Sequence, residues 1–280
     1  MKFTKMQGLG NDFIILEAEE FAKTGLSYSE LAKKLCDRNF GIGADGLIIV
    51  NPPEIKSNCD ISWRIFNSDG SEPQMCGNGI RCFAKYVYNK GIMDKKVFSV
   101  STLAGEIIPE IVDDKNIMVN MGEPVLEASK IPVKMENLDC VIDYPLEIEG
   151  KEINITAVSM GNPHCIVFTD EDSAVMAKKL GPKLENHEIF PEKTNVELVK
   201  IISRNKIKVD VWERGCGITL ACGTGACASV VASALNEHTE NKVEVELPGG
   251  ALFIEWDKAT NKIFMTGGCE FVFSGEYFLP

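Results

Sequence analysis

One short pattern occurs twice in this chain, at a spacing so regular that the fold has to be built around a duplication. The first copy reads Phe66-Asn67-Ser68-Asp69-Gly70, a spacer, then Met75-Cys76-Gly77-Asn78-Gly79-Ile80. The second reads Trp212-Glu213-Arg214-Gly215, a spacer, then Ala221-Cys222-Gly223-Thr224-Gly225-Ala226. Cys76 and Cys222 stand 146 residues apart, as do Asn67 and Glu213, and Phe66 and Trp212. Each copy predicts a strand closed by an aromatic residue, a turn, and Cys-Gly-x-Gly opening a helix. The apolar runs at 80–88 and 226–235 supply those helices, and Gly91 is placed to end the first.

A thiol at a helix start has a definite chemistry. Unpaired backbone N–H groups there act as roughly half a positive charge. They favour thiolate over thiol, against an ordinary cysteine pKa of about 8.5. The flanking glycines let backbone N–H groups approach a bound anion. The plain alternative is a pair of glycine-rich caps around buried structural cysteines. Two copies with matching upstream strands favour a pair of reactive thiols serving one ligand.

The duplication reaches further. Gly8-Leu9-Gly10-Asn11 joins two strands of a hairpin over 2–17, with Asn11 in the turn. Gly161-Asn162-Pro163-His164 recurs 151 residues later, again before an apolar strand. A helix is expected at 29–38 with Ser29 as its cap, and another at about 171–180, capped by Asp170 and ended by Gly181-Pro182. Gly41-Ile42-Gly43-Ala44-Asp45-Gly46 leads into a strand and is a poor dinucleotide fingerprint. Three strands are expected over 97–121, and Gly122-Glu123-Pro124 marks a domain boundary. Strands are expected at 152–159, 165–169, 194–202 and 206–213, then 243–247, 251–257, 262–266 and 271–278. Short antiparallel strands with one long buried helix per half read as α+β, without βαβ alternation.

At 280 residues the chain suits about two domains, or one large one. Its formal charge of -12 argues against nucleic acid and against an anionic membrane surface. The N-terminal residues carry no apolar export core, and no run reaches membrane-spanning length. None of the ten cysteines forms a Cys-x-x-Cys pair, so neither a zinc ribbon nor a thioredoxin-type site is expected. Reduced thiols in the cytoplasm are expected, and no metal.

A duplicated thiol suits one reaction class. Inverting the α-carbon of an amino acid needs a base on one face and an acid on the other, and one thiol per half supplies both. The glycine-flanked helix starts would bind the α-carboxylate and stabilise the enolate-like charge that develops. No phosphate loop or Schiff-base lysine is apparent, so no cofactor is expected, pyridoxal phosphate included.

These motifs, with Arg64-Ile65-Phe66-Asn67-Ser68-Asp69-Gly70-Ser71-Glu72, Ile80-Arg81-Cys82 and Thr194-Asn195-Val196-Glu197, resemble the diaminopimelate epimerases along essentially the whole chain. The resemblance implies a cofactor-independent epimerase interconverting LL- and meso-2,6-diaminopimelate in lysine and peptidoglycan precursor synthesis. It implies two pseudo-symmetric domains, each a mostly antiparallel sheet or barrel around a central helix. With the C-terminal strand returning to the first half, these are 1–122 plus 268–280, and 123–267. A homodimer acting on a small amino-acid substrate is expected.

Carried onto matching positions, Cys76 and Cys222 are the acid/base pair, and His164 and Glu213 their polar partners. Asn11, Asn67, Asn162, Asn195, Glu213 and Arg214 hold the substrate. Backbone groups of Gly77, Asn78, Gly223 and Thr224 bind the reacting carboxylate. Cys82 and Cys227 pack into their helices. The chain departs from the family pattern at Ile218, commonly Glu, and at Cys216, commonly smaller or hydroxylic. It departs also at Gly46, Gln in some members, and at Gly267-Gly268-Cys269, usually Gly-Pro-Ala. Three alternatives stay open. A proline racemase-type enzyme would carry His where Asn78 stands. A related racemase could act on histidine or another basic amino acid. A thiol-based redox or metal-binding protein is the third.

Overall fold

The computed structural model describes residues 1–54, 57–135 and 138–279. The chain divides into two compact units, Met1–Asn120 with Thr266–Pro280, and Met121–Met265. Each has the α+β architecture expected, and within each unit the same order of elements recurs.

The first unit begins with strands β1 (Lys2–Gly8) and β2 (Asn11–Glu17). Gly8 pairs with Asn11 across a two-residue turn, Leu9-Gly10, whose φ angles are 56° and 83°. Positive φ at both positions matches the twist of a tight hairpin. Asn11 therefore opens β2, one position beyond the turn expected for it.

After α1 (Ala18–Ala22) comes α2 (Tyr28–Cys36), two residues earlier at its end than the expected 29–38. Its cap is Ser27, not Ser29. Ser27 and Glu30 form a reciprocal capping box, with Ser27 N donating to Glu30 Oε2 at 2.9 Å.

Next come β3 (Gly46–Asn51), β4 (Ile61–Asn67) and the long helix α3 (Gly77–Asn89). Gly91, with φ 69°, follows that helix as expected. The expected three strands over 97–121 are four: β5 (Val100–Thr102), β6 (Gly105–Ile107), β7 (Pro109–Ile111) and β8 (Asn116–Asn120).

The second unit holds β9 (Tyr144–Ile148), β10 (Lys151–Ser159), β11 (Pro163–Phe168), α4 (Ser173–Glu185), β12 (Asn195–Ser203), β13 (Lys206–Glu213) and β14 (Gly217–Thr219). It continues with α5 (Gly223–Leu235), β15 (Lys242–Leu247) and β16 (Gly250–Asp257). β17 (Lys262–Gly268) carries the chain out of it, and β18 (Glu270–Glu276) pairs with β1 in the first unit. β9 was not foreseen because Pro145 interrupts its sequence. It pairs with β10 as the last strand of its sheet, where a missing N–H is tolerated.

In the first unit the strand order is β18-β1-β2-β3-β4-β5-β6. In the second, β10-β11-β12-β13-β15-β16 repeats β1 to β6, with β9 beyond β10 and β17 beyond β16. The expectation of no βαβ units is corrected here. β2 and β3, β4 and β5, β11 and β12, and β13 and β15 are parallel pairs, each joined through helix. Short strands and intervening loops hid those crossovers in the sequence.

The two repeated helices pack against the strands of their own units. α3 lies on β1, β2, β3, β7 and β8, and α5 on β10 to β13, β15 and β16. Ile80, Cys82, Phe83 and Val87 of α3 are fully buried, with Phe83 edge-on to Trp63 at 5.6 Å. Ala226, Cys227, Val230 and Val231 do the same for α5. Cys82 and Cys227 thus pack, as expected. Among the described residues no helix is long and apolar enough to cross a membrane.

α4 departs most from expectation. Its cap is Asp172, whose Oδ1 accepts from Ala174 N and Val175 N at 2.9 and 3.1 Å, in place of Asp170. The helix also runs through Gly181-Pro182 to Glu185. The glycine is there for packing. A Cβ at Gly181 would lie 2.5 Å from Trp212 Cβ, so the indole rests directly on the helix backbone. Trp212 Nε1 then donates to Glu185 Oε2 at 2.7 Å. Gly181→Ala is accordingly expected to destabilise the protein by about 1–3 kcal/mol, the usual cost of overpacking. Urea unfolding followed by tryptophan fluorescence measures it, and an unchanged midpoint would show that Trp212 moves aside freely.

Candidate active site

Each repeated cysteine is the N-cap of its helix. Cys76 has φ −141° and ψ 116°, and Cys222 has φ −123° and ψ 111°. Each sulfur accepts from the third backbone N–H of the helix, Gly79 N or Gly225 N, at 3.4 Å. The same local geometry is therefore built twice. Gly77 and Asn78, and Gly223 and Thr224, occupy the first two helical positions. Backbone N–H groups there have no acceptor within their own helix, as a carboxylate site requires.

In the first unit Cys76 Sγ lies 3.8 Å from Asn11 Oδ1, which also accepts from Asn78 Nδ2 at 3.3 Å. Asn11 is oriented from behind. Its Nδ2 donates to Asp45 Oδ2 at 2.8 Å, and Asp45 is paired with Arg38 at 2.9 Å. Asn78 is likewise held by the buried Arg81, whose Nη2 donates to Asn78 Oδ1 at 2.7 Å and Nη1 to Gly77 O at 2.9 Å. Asn67 ends β4 in register with Gly46, which in turn pairs with Phe13 on β2. Its Nδ2 donates to Ser71 Oγ at 2.9 Å. The structure thus joins Asn11, Cys76, Gly77 and Asn78 into one network and sets Asn67 at the end of a nearby strand.

The second unit gathers more polar groups. Thr224 Oγ1 lies 3.4 Å from Cys222 Sγ and accepts from Asn162 Nδ2 at 3.3 Å. Asn162 Oδ1 lies 3.0 Å from His164 Nε2. The register of β11 on β12 sets His164 opposite Asn195. Asn195 is almost fully buried. Its Nδ2 donates to Pro163 O at 2.9 Å, and its Oδ1 accepts from Arg214 N at 2.9 Å. Asn195 therefore fixes the backbone that presents Arg214. The Arg214 guanidinium donates to Glu192 O at 3.0 Å. Glu213 ends β13, and its Oε1 accepts from Thr219 Oγ1 at 2.6 Å.

The electrostatics of this unit correct one expectation. Burial first, then the Glu213 and Glu197 carboxylates, push the Cys222 thiol well above its ordinary range, although Thr224 and Gly225 donate to the sulfur. The helix start does not by itself make Cys222 a thiolate, because desolvation outweighs two hydrogen bonds. Burial also raises Glu213, opposed by the Thr219 hydroxyl. Burial thus disfavours the charged form of each group in the ligand-free chain. Among the described residues no group of His, Cys, Asp or Glu is placed to hold a metal ion.

The sequence profile of the family described as diaminopimelate epimerase matches residues 3–127 and 156–272. The chain belongs to the diaminopimelate epimerase family. The diaminopimelate epimerase of Caldanaerobacter subterraneus subsp. tengcongensis is 52% identical over 280 residues, covering 99% of each chain. That of Trichodesmium erythraeum is 52% identical over 274 residues, covering 98% of each. Among solved structures, a hydroxyproline epimerase from Agrobacterium vitis superposes with a TM-score of 0.69 at 12% identity, over 98% of this chain and 91% of that one. A Bacillus anthracis phenazine biosynthesis protein of the PhzF family gives 0.69 at 16% identity, over 100% and 99%. These two likenesses speak for the fold.

For this member of the diaminopimelate epimerase family, three supporting residues escaped sequence reasoning: Asp45, Arg81 and Glu197. Asp45 looked like part of a glycine-rich turn. Arg81 and Glu197 did carry a signal, each being a charge set inside an otherwise apolar run, in IRCFA and NVELV.

Proposed function

We propose that this protein interconverts LL- and meso-2,6-diaminopimelate by two-base chemistry without a cofactor, in the supply of lysine and peptidoglycan precursors. The observation that carries the reading is the duplicated cap: two cysteines, each at a helix start, each with its sulfur 3.4 Å from a backbone N–H. One cysteine, as thiolate, takes the α-proton. The other, as thiol, returns a proton to the opposite face of the carbon, and the two sulfurs exchange protonation states in each turnover. N–H groups of Gly77, Asn78, Gly223 and Thr224 stabilise the negative charge that develops on the carboxylate. His164 and Glu213 poise the thiols. Asn11, Asn67, Asn162, Asn195 and Arg214 select and hold the substrate, Asn195 by fixing the Arg214 backbone.

A cytoplasmic setting and a homodimer belong to the same reading. Ten cysteines without a Cys-x-x-Cys pair suit a reducing compartment.

The experiment is incubation of the purified protein with LL-diaminopimelate in D₂O. The expected result is meso product carrying deuterium at the inverted α-carbon. Inversion without deuterium would rule out proton transfer through solvent-exchanging thiols. No turnover of diaminopimelate, but racemisation of histidine or proline, would move the chain to a related racemase activity.

A further inference from the structure

Glu197 is a charged residue in the middle of a buried strand, fully buried on β12 between Val196 and Leu198. Its Oε1 lies 2.7 Å from His164 Nδ1, while Oε2 has no hydrogen-bond partner. A buried carboxyl with an orphan oxygen is costly, and a purely structural strand residue would avoid it. The helix start of α5 comes close to it. A Cβ on Gly225 would lie 2.6 Å from Glu197 Oε1, and the N–H of that glycine donates to Cys222 Sγ.

From Glu197 an unbroken chain of hydrogen bonds leads to the sulfur: His164, Asn162, Thr224, Cys222. Its direction is set by proton count. With Nε2–H of His164 donating to Asn162 Oδ1, the amide turns Nδ2 towards Thr224 Oγ1. The threonine then has its O–H left to donate to Cys222 Sγ. This arrangement needs one proton on Nε2 and one shared between Nδ1 and Glu197. If the pair held a single proton, Nε2 would accept, the amide would flip, and the Thr224 hydroxyl would turn to Asn162. Cys222 would then meet an acceptor in place of a donor.

We infer that Glu197 is a positioning residue for this reaction: by holding a proton against His164 Nδ1, it fixes the chain so that Thr224 donates to Cys222. The inference rests on the reading of Cys222 as a reacting thiol. It assigns Glu197 a task distinct from that of Glu213, which faces the same sulfur from β13. Among the described residues, the charged and titratable groups facing Cys222 are Glu213, Glu197 and, through Asn162 and Thr224, His164.

The test reads Cys222 itself, so it stands apart from whether diaminopimelate is turned over. The rate of Cys222 alkylation by iodoacetamide, quantified by peptide mass spectrometry across pH, is compared in wild type, Glu197→Gln and Glu197→Leu. Glutamine can donate to Nδ1 and keep Nε2–H on Asn162, so its profile stays at or below the wild-type pH. Leucine removes the partner, and alkylation at neutral pH falls about tenfold, the scale of one hydrogen bond. The sign discriminates. If Glu197 acted only as a nearby negative charge, leucine would speed alkylation as much as glutamine does, and the inference would be wrong. Should the leucine variant fail to fold, ¹⁵N NMR of the wild-type imidazoles decides. His164 is one of three histidines, and its Nε2 is expected to carry the proton donated to Asn162 Oδ1. An unprotonated Nε2 overturns the assignment.

Discussion

Cys76→Ala and Cys222→Ala are each expected to abolish epimerisation, with a loss of about 10³-fold or more, while both variants stay folded. General acid–base transfer by one positioned group contributes about 10²–10⁴-fold, and inversion needs such a group on each face. Loss of one thiol cannot be covered by its counterpart. The stability penalty is small because the cap hydrogen bond each sulfur accepts is long, 3.4 Å in both helices. The variants are not expected to be inert in every assay. A single remaining thiol can still remove the α-proton from the diastereomer whose proton faces it and return a solvent proton to the same face. Each variant should therefore exchange deuterium into one diastereomer only, and the two variants into opposite ones. The measurement is deuterium incorporation from LL- and meso-substrate separately, alongside inversion. Near-wild-type inversion by either variant would refute the two-thiol mechanism.

How much of this was legible in the sequence differs by kind of feature. The duplication was, because strand-turn-cap geometry imposes residue types at fixed spacing: Cys76 and Cys222 as caps, then glycines where backbone must stay open. The sheet partners of those elements were not. Parallel pairing of β11 with β12 depends on α4 crossing over, and α4 was cut short by reading Gly181-Pro182 as a terminator. The glycine answers to Trp212, 31 residues later, a contact that no local rule contains. Similarly, Asn195 was expected to touch substrate directly. What the sequence did not show is that Asn195 also braces this region, donating to Pro163 O and accepting from Arg214 N. The thiol electrostatics were the least legible. A helix start argues for thiolate from local sequence alone. The desolvation that opposes this at Cys222 comes from the strands packed round α5, and Glu197 adds to it from β12, while Glu213 sits in the cysteine's own motif.

That distinction between local chemistry and distant supports decides where substrate choice lies. Thiols and helix starts address groups common to every α-amino acid, so they cannot tell diaminopimelate from lysine. Discrimination has to come from side chains able to bind the distal end, and Arg214 is the group with the right chemistry. Its guanidinium is planar and can grip a carboxylate with two parallel N–H bonds. Its backbone is pinned by Asn195, and its guanidinium is steered by Glu192 O at 3.0 Å. Glu213, next in sequence, is available to accept from the distal ammonium. A site of such donors is left unpaired by a substrate lacking the distal carboxylate, at a cost on the order of several kcal/mol. Lysine is therefore expected to be turned over with kcat/KM lower by about 10³-fold or more than diaminopimelate. Arg214→Lys keeps the charge but loses the fork, and is expected to lower kcat/KM for diaminopimelate by about 10²-fold. Its effect on lysine should be small, since lysine never used the fork. The four kcat/KM values form a double comparison whose interaction term isolates the distal contact. Equal losses for both substrates in Arg214→Lys would place Arg214 in general structure. Preference of wild type for histidine over diaminopimelate would turn attention to Cys216 and Ile218, the neighbours of Arg214 where this chain leaves its family pattern.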